Sequence, residues 1–154
     1  MTVMVNRHRL AGLGPTKASY YTWNFFDKKV LLMGMIPGLM IAAALLPYAA
    51  AIAAKAGGKR FDNDDPRPWL AAQQGWRARA NAAQANLFEG LPFFYAAVLY
   101  ALYAGVPTDR LAGLMGAWIA LRILYILAYI LGRGTVRSLI WGAALIVNAA
   151  IVLS

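Results

Sequence analysis

Residues 84–94 read QANLFEGLPFF and place one acidic side chain, Glu89, where a polar helical segment becomes apolar. Glutamines, arginines and asparagines precede this point from Trp69 onward, and the residues that follow it are almost wholly apolar. A charged side chain at the centre of a bilayer costs at least about 2.5 kcal/mol. We therefore predict one long helix from Trp69 to about Ala104 that spans a membrane and turns its polar side chains toward other helices, water or a bound polar ligand.

The composition of the whole chain is that of a membrane protein. Its 154 residues are 61% hydrophobic and only 14% charged, whereas a soluble domain carries about 25% charged residues. The net charge of +9 is spread along the chain, as it is when cations flank membrane spans, so we expect no nucleic-acid binding. The chain has no cysteine and one histidine, His8, so we expect no metal site and no thiolate supplied by the protein.

Hydropathy and turn signals predict an all-α, integral membrane four-helix bundle with up-down topology. The first apolar run is longer than the core of a secretory signal, so we expect it to remain as an uncleaved helix. Thr108 or Asp109 is expected to cap the third helix, and residues 55–68 are expected to form a loop. The predicted spans are Val30 to Ala54, Trp69 to about Ala104, Thr108 to about Leu131, and Ser138 to Leu153.

Residues 1–29 differ from the predicted membrane domain of residues 30–154. They are polar, and they contain an aromatic cluster that suits an anchor in the membrane interface or a contact with a partner protein. The cluster contains Tyr20, Tyr21, Trp23, Phe25 and Phe26.

The orientation in the membrane stays open. Lys and Arg are divided almost equally between the two sides of the predicted bundle, so the positive-inside rule does not decide it. The alanine-rich composition favours a bacterial inner membrane.

The polar residues of the second span fall on two opposite faces of the helix. Arg79, Asn86 and Glu89 lie within an arc of about 80°, at 100° per residue, and are expected to face a cleft inside the bundle. The other face carries Arg77 and Gln84. An alternative is that the two arginines lie above the bilayer, in a helix that extends beyond it.

The third span carries one polar stripe, in which Trp118, Arg122, Tyr125 and Tyr129 follow each other at helical spacing. Arg122 lies well inside the span, and its expected partner is Glu89. An ion pair between them explains both residues as structure alone. Alternatively, the tyrosine hydroxyls on this stripe donate hydrogen bonds to a developing anion, as a thiolate-stabilising site needs. Tyr103 and Trp141 are interpreted as members of the aromatic belt.

The spacing of these residues resembles the signatures of the MAPEG superfamily, the membrane-associated proteins in eicosanoid and glutathione metabolism. QANLFEGLPFF resembles its N-x-x-E-x-x-P motif, and ALRILYILAYI resembles its R-x-x-Y-x-x-x-Y motif. The resemblance covers roughly residues 30–153 and points to a prokaryotic-type member. The matching residues are Asn86, Glu89 and Pro92 on the second helix and Arg122, Tyr125 and Tyr129 on the third.

The resemblance implies a homotrimer that holds glutathione at its subunit boundaries near the membrane surface. Arginine side chains suit the two carboxylates of this tripeptide, and a glutamate suits its amine. Arg137 and Tyr129 are the implied catalytic residues, which stabilise the thiolate. The implied glutathione-binding residues are Arg79, Gln84, Asn86, Glu89, Arg122 and Tyr125.

Two positions depart from the family pattern. Ala82 stands where members that bind glutathione usually have an arginine, and Gly90 stands where a tyrosine is frequent. Arg79 lies nearly one helical turn before Ala82, so its head group starts about 4.5 Å further along the axis. Because a charge-assisted hydrogen bond contributes about 1.5–3 kcal/mol, these departures weigh against activity more than against the fold.

Two functional hypotheses follow. The first is a glutathione-dependent transferase or peroxidase that acts on lipophilic substrates from the bilayer. The alternative is a non-catalytic accessory or scaffold subunit of a larger membrane protein complex. A transporter or channel is less favoured, because four spans show no inverted repeat and only one acid lies at depth.

Overall fold

A computed structural model describes the backbone of residues 17–59 and 61–154, and the side chains of residues 34–59 and 61–154. This part of the chain is all helix and turns, with no strand. Four of its helices are long and apolar enough to cross a membrane, the first of them over Gly34–Lys55, which confirms the predicted all-α, four-span fold. The five helices are α1 (Lys17–Lys55), α2 (Pro66–Ala71), α3 (Gly75–Tyr103), α4 (Thr108–Ile130) and α5 (Gly134–Val152).

Helix α1 extends into the segment interpreted above as a tail. It begins at Lys17 and runs without a break through Pro37 and Pro47 to Lys55. Residues 1–16 lie outside the described residues, and so do the side chains of the aromatic cluster between Tyr20 and Phe26. The assignment of residues 1–29 as a separate tail therefore stays a prediction.

The predicted helix from Trp69 to Ala104 is in fact two helices, which is a correction to its N-terminal boundary. Helix α2 ends at Ala71, and α3 begins at Gly75, whose φ of +63° is a left-handed conformation that the interior of an α-helix does not contain. The Trp69 indole nitrogen donates to the Lys59 carbonyl oxygen at 3.1 Å. This contact folds α2 back onto the loop that follows α1.

The start of α4 also differs from its prediction. Its N-cap residue is Pro107, and no side chain makes a hydrogen bond at the cap, so the expected capping by Thr108 or Asp109 is wrong. Proline has a fixed φ that suits the entry to a helix, and the short Gly105–Pro107 turn leaves no residue free to act as a side-chain cap. Helix α5 begins at Gly134 rather than Ser138, so Arg137 lies within its first turn.

The bundle is held by two groups of buried residues. The distal core, near the turn that joins α3 to α4, contains the stacked rings of Phe94 and Trp118, whose centroids are 4.0 Å apart. The proximal core lies nearer the opposite end, where the loops after α1 and α4 meet, and consists of Ala50, Ala83, Leu87 and Tyr125. Alanines at helix contacts let the backbones approach closely, as is usual in membrane bundles. This end, which carries the long connection between α1 and α3, is called the long-loop end below.

Candidate functional site

Arg79 closes the long-loop end of the bundle by binding the C-terminus of α4. Its Nε donates to the carbonyl oxygens of Tyr129 at 3.0 Å and Ile130 at 3.2 Å, and its Nη2 donates to Ile130 at 2.9 Å. The last carbonyls of a helix lack partners within it and carry partial negative charge. Two of the five N–H donors of Arg79 are therefore used by α4, and its predicted role as a glutathione ligand stays a prediction.

Asn86 organises the two tyrosines of α4. Its Nδ2 donates to the Ala82 carbonyl oxygen at 3.2 Å and to the Tyr129 hydroxyl at 3.3 Å, and its Oδ1 accepts from the Tyr125 hydroxyl at 3.1 Å. A carbonyl oxygen only accepts hydrogen bonds, so the contact with Ala82 fixes the orientation of the amide. It follows that the Tyr125 proton is committed to Asn86, whereas the Tyr129 hydroxyl accepts and keeps its own proton for another partner.

An outer cavity of about 190 Å³ opens beside these tyrosines. Arg137, from the first turn of α5, places its guanidinium carbon 4.5 Å from the centre of the Tyr129 ring. The cavity thus brings a positive charge and a free phenolic proton together. Its lining residues are Asn86, Tyr125, Tyr129, Arg137, Ser138 and Trp141.

An inner cavity of about 170 Å³ lies deeper in the bundle and shares Asn86 and Trp141 with the outer one. Arg122 is 3% exposed, and its Nε and Nη1 have no hydrogen-bond partner. Its guanidinium carbon lies 4.9 Å from the centre of the Trp118 ring. The lining residues are Asn86, Glu89, Gly90, Phe93, Arg122, Trp141, Leu145 and Asn148.

The predicted ion pair between Glu89 and Arg122 is absent, which is a second correction. Both residues line the inner cavity, but Glu89 is exposed and two of the Arg122 nitrogens stay unpartnered. Gly90 supplies the physical reason, because a Cβ atom at this position would lie 2.9 Å from Arg122 Nη2. The guanidinium occupies the space of the missing side chain and rests against α3 and the aromatic rings.

Six of the eight predicted site residues line these cavities: Asn86, Glu89, Arg122, Tyr125, Tyr129 and Arg137. Arg79 and Gln84 line neither. Sequence reasoning missed Asn148, which is 2% exposed and has an unpartnered Oδ1, and it assigned Trp141 to the aromatic belt alone. The spacing of Trp141 and Asn148, seven residues apart on an apolar helix, was the signal that both lie on one face of α5.

The described residues contain no group of three histidine, cysteine, aspartate or glutamate side chains that is able to hold a metal ion. A family model described as the MAPEG family matches residues 30–154. This range contains all four membrane-spanning helices and both cavities. No curated protein and no solved structure matches the chain.

Proposed function

Because the chain belongs to the MAPEG family, we propose that this integral membrane protein is a glutathione-dependent transferase or peroxidase that acts on lipophilic substrates. The observation that carries the proposal is the pairing of Tyr129 with Arg137 in the outer cavity. Tyr129, whose ring centre lies 4.5 Å from the Arg137 guanidinium carbon and whose hydroxyl donates to no acceptor among the described residues, is a group that stabilises an anion. A bacterial inner membrane, favoured by the alanine-rich composition, is the proposed location.

The outer cavity fits the thiol end of glutathione. The Tyr129 hydroxyl donates to a sulfur anion, and the Arg137 guanidinium adds positive charge, so both favour the thiolate over the thiol. Tyr125 plays a different part, because its proton is used to hold the Asn86 amide. When bound, glutathione supplies the nucleophilic sulfur, which bonds to an electrophilic carbon as the leaving group departs. In the peroxidase reaction two glutathione molecules reduce a hydroperoxide to an alcohol and water and become the disulfide.

The inner cavity fits the charged glutamyl end of the same molecule. The unpartnered Nε and Nη1 of Arg122 are donors for a carboxylate, and a charge-assisted bond would satisfy groups that are costly to leave buried without a partner. The Glu89 carboxylate accepts from an ammonium group. Asn86 borders both cavities, so a ligand that extends from one to the other passes its side chain.

The position of Gln84 supports a homotrimer as the working assembly. Gln84 lies on the face of α3 opposite Asn86 and Glu89 and lines neither cavity of its own chain. A glutamine there contributes to a glutathione site only when it reaches the site of a neighbouring copy. Glu89, exposed within an apolar span, also needs a covering surface more polar than lipid.

The test is direct binding followed by turnover. The protein, purified in mild detergent, should be retained on glutathione agarose and should conjugate glutathione to a nitroaromatic electrophile. Tyr129→Phe should lower kcat/KM about 100-fold, in the range seen when one donor to a developing anion is removed. Tyr125→Phe, the matched control, should lower it less than about tenfold. Absence of thiol-dependent binding at millimolar glutathione would refute the proposal.

An accessory role is the second candidate, and one observation favours it. Ala82 has no side-chain donor to offer a carboxylate, and Arg79 is held at the C-terminus of α4 by hydrogen bonds to its last carbonyls, so the arginine that the family pattern places on this helix is missing from the cavities. An accessory subunit should co-purify in mild detergent with a second membrane protein in a fixed molar ratio, and it should not bind glutathione. A variant that lacks residues 1–16 tests whether the N-terminal segment holds that partner.

A further inference from the structure

Gly90 is in direct contact with the guanidinium of Arg122. A Cβ atom at Gly90 would lie 2.9 Å from Nη2, 3.4 Å from Cζ and 3.8 Å from Nε of that side chain. No other helical glycine among the described residues faces a charged group so closely. The approach places the end of the Arg122 side chain against α3 at Gly90, in space that the side chain of any other residue would fill.

This contact keeps two opposite charges apart in a medium that favours their pairing. Glu89 precedes Gly90 in α3, and both line the inner cavity with Arg122. In a low dielectric the attraction between an unpaired carboxylate and an unpaired guanidinium is much stronger than in water. Arg122 nevertheless has Nε and Nη1 without partners, and it stacks on Trp118 at 4.9 Å and Tyr125 at 5.6 Å instead.

We propose that Gly90 is a positioning residue that holds Arg122 away from Glu89 and so leaves both charges available to a ligand. The ligand group that matches this arrangement carries an ammonium and a carboxylate close together. The identity of the ligand rests on the proposed function, in which this group is the glutamyl end of glutathione. The separation of the two charges does not depend on that function, because it follows from the contact at Gly90.

The first experiment compares Gly90→Ala with Gly116→Ala. Gly116 is a helical glycine of α4 with nothing within 4 Å of an added Cβ, so its substitution reports the gain in helix propensity alone. The clash at Gly90 involves the far end of a flexible side chain, so Arg122 moves off α3 toward Glu89 and forms the ion pair. We expect Gly90→Ala to weaken glutathione binding about tenfold or more, whereas Gly116→Ala leaves the affinity unchanged.

The second readout is thermal stability, which distinguishes positioning from simple overpacking. An ion pair formed by Gly90→Ala should raise the Tm in detergent by about 3 °C beyond the rise in Gly116→Ala. This excess should vanish when Glu89→Gln removes the carboxylate, so that the two substitutions are coupled in a double-mutant cycle. Affinity and stability therefore change in opposite directions.

Three results would overturn the proposal. The first is that Gly90→Ala behaves like Gly116→Ala in both measurements. The second is that Gly90→Ala lowers both the affinity and the Tm, which is the signature of an overpacked core. The third is that the excess rise in Tm persists when Glu89→Gln is added. If the unmodified protein fails to bind glutathione, the proposed function fails, while the Tm cycle still decides whether Gly90 separates the two charges.

Discussion

The distal core and the long-loop end of the bundle use the same helices in different ways. In the distal core, ten other buried residues surround the stacked rings of Phe94 and Trp118. Toward the long-loop end, the proximal core contains four buried residues, and the space between α3, α4 and α5 opens into the two cavities. The same three helices are therefore tightly packed at one level and separated around polar side chains at the other.

The difference shows how a small membrane bundle supports a polar site. Arg122 has two buried atoms without a hydrogen-bond partner and Asn148 has one, and such atoms cost about 1–3 kcal/mol each. The atoms that line the inner cavity also lack dispersion contacts on the side of the cavity, which lowers the stability of the bundle. The distal core offsets these costs, because its rings and alanines fit closely and lipid-facing helices associate mainly through such packing.

The largest expected effect breaks the distal core. Phe94→Ala removes a fully buried ring and its stack on Trp118. We expect a loss of about 3 kcal/mol in the free energy of unfolding, the lower end of the range for buried aromatic residues, since lipid is as apolar as the core and reduces the transfer term. Denaturation in mixed micelles measures this free energy.

The control is Phe93→Ala, at a side chain that is 43% exposed, which should cost less than about 1 kcal/mol. Equal losses in the two variants would mean that the distal core is not the main source of stability.

The second prediction tests how the long-loop end is held. Arg79→Ala removes the donors to the Tyr129 and Ile130 carbonyls and should cost about 2 kcal/mol. Arg67→Ala, at an exposed arginine of the same end, should be within about 0.5 kcal/mol of the unmodified protein. A large rise in the glutathione Kd with unchanged stability would instead make Arg79 a ligand, as the resemblance implied.

The sequence predicts the spans well, because the length of an apolar run is a local property that the bilayer thickness selects. It also predicts that Asn86 faces the cleft and that Tyr125 and Tyr129 share one stripe of the next helix, but the hydrogen bonds that join them were not predicted. The register of one helix against another is not local. For this reason the capping of α4 by Arg79 was not predicted, and neither was the stacking of Phe94 on Trp118.

The relation of Arg122 to Glu89 shows the same limit at a single site. Opposite charges at similar depth in neighbouring helices predict an ion pair, and that prediction is wrong. In the proposal above, the outcome depends on a residue with no side chain, Gly90, which leaves space beside the guanidinium. Such space is visible only when the distance between α3 and α4 is known.

The third prediction concerns the turn that ends α4. Gly132 has a φ of +70°, a conformation that a side chain destabilises. We expect Gly132→Ala to cost about 1 kcal/mol in unfolding free energy. Gly134→Ala is the matched control, because Gly134 has no positive φ and nothing lies within 4 Å of an added Cβ. If both variants are equally stable, the left-handed turn does not constrain the long-loop end.

The smallest expected effect separates packing from polarity within the distal core. The Trp118 indole nitrogen is buried there without a hydrogen-bond partner, so Trp118→Phe removes an unsatisfied donor together with part of a large ring. The relief of an unpartnered donor offsets the lost volume, and the net change in unfolding free energy should be less than about 1 kcal/mol. A loss close to that of Phe94→Ala would mean that the nitrogen has a partner, such as a bound water, and that the distal core is also a polar site. A small loss would mean that the distal core is stabilised by the packing of its rings alone. Hydrogen bonding would then be confined to the long-loop end, where it orients the polar side chains.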